Sequence, residues 1–150
     1  MSKIPVTIIT GFLGAGKTTL IRHLLQNAGG RKLALIINEF GDVGIDGDLV
    51  KGCNDAACPV ENIVELANGC ICCTVADDFL PTIEALLDRA DKPDHIIIET
   101  SGLALPKPLI KAFQWPSVRT RATVDAVIAM IDADAVTAGR FAPNEAALAA

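Results

Sequence analysis

The chain has 150 residues, 51% hydrophobic and 21% charged, with a formal net charge of −5 and a pI near 4.9. This is enough chain for one domain with a core of its own. With no Lys/Arg-rich run, it argues against nucleic acid or an anionic membrane as a partner. No apolar stretch reaches the roughly 20 residues that cross a bilayer.

After Lys3, the apolar run from Ile4 to Ala15 imitates a short secretory h-region, but it leads into Gly16-Lys17-Thr18-Thr19, which is no cleavage site. Pro5 to Thr10 (PVTIIT) instead reads as a strand buried on both faces, followed by a glycine-rich loop. A helix over Thr18 to Gln26 carries Leu20, Ile21, Leu24 and Leu25 at helical spacing and ends at Gly29-Gly30. Leu33 to Asn38 and Ile63 to Leu66 are further strands. Between them, Gly41 to Asn62 is rich in Gly and Asp and reads as a long functional loop.

A helix is expected from about Asp78, as N-cap, with Phe79, Leu80, Ile83, Leu86 and Leu87 in one stripe and Pro81 in the first turn. His95 to Thr100 is a strand, Pro106 to Phe113 a short helix, and Val124 to Ile131 a last strand. Unbroken apolar strands separated by helices specify an α/β fold with a mainly parallel sheet covered on both faces. Pro143 to Ala150 reads as the opening of a helix, and residues 1–150 are expected to be the N-terminal part of a longer protein.

Gly11-Phe12-Leu13-Gly14-Ala15-Gly16-Lys17-Thr18 fits G-x-x-x-x-G-K-[ST] at every fixed position, with a strand before it and a helix after. The glycines let successive amides turn inward as a nest for a β-phosphate. Lys17 adds a point charge, the Thr18 hydroxyl is a Mg²⁺ ligand, and the helix aims its N-terminus at the anion. Gly11, Gly14, Ala15, Gly16, Lys17, Thr18 and Thr19 form the candidate phosphate-binding set. Glu99 ends a strand, where a second acid orients Mg²⁺ or its water, so Lys17 and Glu99 are the candidate catalytic pair. Gly102 is open enough for its amide to approach a γ-phosphate. Glu39, which opens the long loop, suits a switch that senses nucleotide or metal; the alternative is an ordinary turn.

Five cysteines without an export signal favour metal binding or reactive thiols over a disulfide scaffold. Cys70-Ile71-Cys72-Cys73 places three soft ligands in four residues, suited to Zn²⁺, Cu⁺ or Co²⁺. In an extended segment Cys70 and Cys72 share one side and Cys73 faces the other. The shell is incomplete, Glu39 is a candidate further ligand, and such a site suits metal transfer. A redox-sensing cluster or inert buried thiols are the alternatives. Cys53 and Cys58 are either an accessory metal pair or free thiols. His23 reads as solvated, His95 as sitting at a strand edge, and Asp132-Ala133-Asp134 as a cap or turn, with a catalytic pair as the alternative.

TGFLGAGKTTLIRHLL (Thr10 to Leu25), INEFGDVGIDG (Ile37 to Gly47), ELANGCICCTVADDF (Glu65 to Phe79) and IETSGLALPKP (Ile98 to Pro108) together resemble the CobW family of P-loop GTPase metallochaperones. The Cys53 to Cys58 insertion and LALPKP resemble its cobalamin-biosynthesis branch. The resemblance implies a SIMIBI-type G domain that binds and hydrolyses GTP; the cytoplasm is expected from the reading of the N-terminus and the lack of a spanning stretch, and Mg²⁺ from the P-loop. The resemblance implies that Glu39 and Glu99 belong to the switch and Mg²⁺ region and that Cys70, Cys72 and Cys73 hold a transferred ion. It also implies delivery of Co²⁺ to a cobaltochelatase as client. Open alternatives are a zinc chaperone or activator of another metalloenzyme, a P-loop kinase or ATPase with redox-sensing thiols, and a nucleotide-gated regulator that binds a partner protein. The Asn/Thr-Lys-x-Asp motif by which such GTPases read guanine does not occur in the 150 residues.

Overall fold

The computed structural model describes residues 2–12, 14–38, 63–66, 79–100 and 106–139. Their apolar runs form five strands: β1 (Ile4–Gly11), β2 (Leu33–Asn38), β3 (Ile63–Leu66), β4 (His95–Thr100) and β5 (Ala122–Met130). All pair in parallel in one sheet, in the order β3-β2-β4-β1-β5. The helices are α1 (Lys17–Gln26), α2 (Leu80–Asp88), α3 (Pro106–Ala112), α4 (Pro116–Arg119) and α5 (Ala133–Thr137).

Strand side chains alternate between faces, and the apolar runs supply both. Ile9, Leu35, Ile37 and Ile97 pack with Ile21 and Leu25 of α1. On the other face Val6, Ile8, Ala34, Ile36, Ile96 and Ile98 meet Phe79, Leu80, Ile83, Leu86 and Leu87, with Leu109, Phe113 and Val118 beside them. The Phe79 and Phe113 rings meet edge to face, with centroids 5.7 Å apart and planes at 72°. Such a pair adds about 1 kcal/mol to the area buried. Burial on both faces is what a parallel sheet demands, and it explains why these strands do not alternate with polar residues.

The strand order along the chain matches the sequence reading, and the helices differ from it locally. Phe79 opens the described part of α2 with helical backbone and makes no side-chain cap; the Asp78 expectation lies outside the described residues, and Pro81 lies in the first turn. The turn α4 was not anticipated. Its four residues follow Trp115 in an extended conformation, and its N–H groups at Val118 and Arg119 bond to the Trp115 carbonyl. Asp132 caps α5, its Oδ1 accepting from the Ala135 amide at 2.9 Å, so the cap reading of that pair holds. No helix among the described residues is long and apolar enough to cross a membrane.

Candidate phosphate site at the carboxyl edge of the sheet

In a parallel sheet every strand delivers the chain to the same edge, and ligands of open α/β sheets bind outside that edge. β1 ends at Gly11 and β4 at Thr100, with Ile9 opposite Glu99. β2 ends with Asn38 opposite Thr100, and β3 with Leu66 opposite Asn38. The strands leading into the P-loop, residue 39, residues 67–73 and residues 101–102 therefore all finish side by side.

The P-loop takes its shape from both flanks. Gly11 has φ +133°, and a β-carbon there would collide with the Met130 carbonyl oxygen and lie 2.9 Å from its nitrogen. No other residue type fits between β1 and β5 at that level. The Ala15 amide donates to the Phe12 carbonyl at 3.2 Å, closing a turn inside the loop. Gly16, at φ +93°, is the N-cap of α1 and supplies no side chain. The first helical bond runs from the Leu20 amide to the Gly16 carbonyl at 3.0 Å. The amides of Lys17, Thr18 and Thr19 thus precede any acceptor within the helix and carry the positive end of its dipole.

Lys17 is 6% exposed. Its ammonium donates to the carbonyls of Gly11 at 2.9 Å and Phe12 at 3.1 Å. A buried cation is tolerated only with such partners, and here both belong to the loop it completes. A cation with unshared amides beside it is matched to a polyanion, the phosphate chain of a nucleotide. Thr18 is half-buried at the second position of α1, and Glu99 half-buried at the end of β4. Both are hard oxygen donors of the kind Mg²⁺ takes, so these residues fit that ion as well as the phosphates.

Among the sequence candidates, Gly11, Gly14, Ala15, Gly16, Lys17, Thr18 and Thr19 form one loop and helix start, with Glu99 one strand away. Glu39, Cys70, Cys72, Cys73 and Gly102 lie outside the described residues, as do Cys53 and Cys58. Among the described residues no group of three or more His, Cys, Asp or Glu could hold a metal ion.

Two polar contacts beneath the site carry no motif in the sequence. Thr100 is fully buried, its hydroxyl donating to the Ile9 carbonyl at 3.4 Å, which ties the end of β4 to β1. His95 does more than occupy a strand edge: it is half-buried, with Nε2 2.8 Å from the Thr7 hydroxyl oxygen. Burial pushes its pKa below the ordinary value; Arg31 adds to that and Asp125 opposes it. His23 is exposed, as expected, near Asn27.

Residues 5–148 match the nucleotide-binding domain shared by CobW, HypB and UreG. The chain belongs to that family. It is 67% identical over 142 residues to the zinc chaperone CobW of a Sinorhizobium species, covering 95% of this chain and 40% of that protein. Similarity to the zinc chaperone CobW of Pseudomonas aeruginosa is 57% identity over 147 residues, 96% of this chain and 39% of the relative. A crystal structure of a zinc(II)-bound triple mutant of the YjiA GTPase superposes with a TM-score of 0.62 at 33% identity. It covers 94% of this chain and 45% of that one. The chain thus spans about two-fifths of the length of these relatives. As a member of the CobW/HypB/UreG family it is a P-loop GTPase-type domain with a parallel sheet flanked by helices.

Proposed function

We propose that the protein is a GTP-binding, GTP-hydrolysing metallochaperone that works in the cytoplasm and couples its nucleotide state to the holding and release of a thiophilic divalent ion. The observation that carries the nucleotide half is the Lys17 ammonium, buried against the Gly11 and Phe12 carbonyls at the start of α1. Lys17 holds negative charge at the β- and γ-phosphates, the α1 amides cradle the β-phosphate, and Gly102 follows the strand carrying Glu99. Thr18, with Glu99 nearby, would hold Mg²⁺, which neutralises phosphate charge during transfer to water.

The cargo ion is assigned to Cys70, Cys72 and Cys73 with Glu39. Soft thiolates with a carboxylate leave coordination positions open, which suits a site that passes metal on. Glu39 follows β2 and the cysteines follow β3, neighbouring strands that end at the same edge. Loading of the phosphate site would draw these two segments together; loss of the γ-phosphate would release them and the ion.

Zinc is the cargo that the printed names of the relatives favour, since both CobW proteins are called zinc chaperones. Delivery of Co²⁺ to a cobaltochelatase is the competing reading. It rests on the resemblance of the Cys53 to Cys58 insertion and LALPKP to the cobalamin branch, and the divalent-metal series places Co²⁺ below Zn²⁺ in thiolate affinity. Zn²⁺ and Co²⁺ titrations of the full chain, with Mg²⁺-GTP, with Mg²⁺-GDP and without nucleotide, test both. We expect at least a tenfold tighter site with GTP, lost in Cys72→Ala. Equal affinity in all three states would refute the coupling, and a GTP-dependent Co²⁺ site that excludes Zn²⁺ would select the cobalt reading.

A further inference from the structure

The P-loop motif ends at Thr18, yet the structure builds the loop against a residue far away in sequence. Met130, the last residue of β5, stands opposite Gly11 in the β1–β5 ladder. Its backbone forms the wall that leaves no room for a β-carbon on Gly11, at the loop's start. Its side chain runs the other way: Met130 Cε lies 3.8 Å from the position a β-carbon would take on Gly16, at the loop's end. Met130 also packs on the cluster of Ile9, Ile21 and Leu25 that joins β1 to α1. Lys17 closes the circuit, since it follows Gly16 and its ammonium is bonded to the Gly11 and Phe12 carbonyls.

We propose that Met130 is a positioning residue for nucleotide binding, a brace that holds the two ends of the P-loop at the separation its anion nest requires. It touches no phosphate. It acts through Gly11 and Gly16, which set where the amides of Lys17, Thr18 and Thr19 point. A nest grips an anion in proportion to how well its donors are preorganised, and a misplacement of an ångström changes affinity by large factors. Methionine suits the task because it is unbranched next to the backbone, where Gly11 crowds it, and long enough for its methyl to reach Gly16. The brace rests on the proposed reading of this loop as a guanine-nucleotide site.

The test measures release of a fluorescent GDP from the full chain, with the melting temperature of the nucleotide-free protein alongside. Met130→Ala and Met130→Val both remove the reach to Gly16, and Val retains a strand-favouring, apolar residue if Ala does not fold. Each should speed GDP release about tenfold. Met130→Leu, which restores most of the length, should stay within twofold of the parent. Ile128→Ala is the control: Ile128 lies on the same face of β5, opposite Ile9 rather than Gly11. It should lower the melting temperature yet leave release within twofold. Parental release in the Ala or Val variant, equally fast release in Met130→Leu, or equally fast release in Ile128→Ala would each overturn the brace. A parent that binds no GDP would instead refute the nucleotide reading on which the brace depends.

Discussion

Gly11→Ala isolates the contact that shapes the start of the P-loop. The backbone there has φ +133°, a region that L side chains rarely adopt, and holding alanine in it costs about 1–3 kcal/mol. The new methyl would also be driven into the Met130 carbonyl, 2.9 Å from its nitrogen and 3.0 Å from its carbonyl carbon. Those are backbone atoms of a paired strand and cannot swing aside, so overpacking adds about 1–3 kcal/mol. The sum is about 4 kcal/mol, a large part of the 5–15 kcal/mol by which a domain is usually stable. At about 3 °C per kcal/mol for a domain of this size, the melting temperature should fall by about 12 °C. Gly14→Ala is the reference, because Gly14 has φ +81° but nothing within 4 Å of its β-carbon position. It bears only the left-handed penalty of about 1–2 kcal/mol, about 4 °C. Calorimetric melts of the two variants decide the matter. A Gly11→Ala chain that melts within 3 °C of Gly14→Ala would refute the close approach of β5, since backbone strain alone does not separate them.

Lys17→Met removes the ammonium from the Gly11 and Phe12 carbonyls and from the phosphates. GTP turnover should fall about 10²- to 10³-fold, measured as phosphate release with saturating Mg²⁺-GTP. Thr100→Val keeps the shape of a fully buried side chain and deletes one long hydrogen bond to the Ile9 carbonyl. The loss should be about 0.5–1.5 kcal/mol in a urea melt, with no cavity contribution. For His95 the folded pKa is lowered by burial, so the folded state binds fewer protons than the unfolded chain as pH drops. Its contribution is intact above the ordinary histidine value of about 6.5, is lost as pH falls below that value, and levels off beneath the depressed folded pKa. His95→Gln should therefore flatten the slope of stability between pH 7 and pH 5, read by urea melts at each pH.

The phosphate site was legible because its chemistry is local. The pattern from Gly11 to Thr18 is contiguous, and the strand and helix that frame it are marked by apolar runs and spacing, although what forbids a side chain at Gly11 is Met130 on β5. The two-faced core was legible for the same reason: unbroken runs such as Ile96-Ile97-Ile98 admit only burial on both sides. The apolar stripe of α2 was legible from its spacing, whereas the edge-to-face packing of Phe79 on Phe113 was not, since the two rings are far apart along the chain.

Strand order was not in the sequence, because parallel neighbours meet through crossovers and carry no turn signal to reveal their pairing. Only the tertiary structure put β5 beside β1 in register, with Met130 opposite Gly11 and its methyl near Gly16, and set Thr100 against Ile9. Gly11 to Thr19 were marked as the candidate phosphate loop by their residue types alone, since the glycines and the donors, Lys17 and the first amides of α1, are contiguous. The tertiary structure decided what keeps those donors in place, since that depends on residues more than a hundred positions away along the chain.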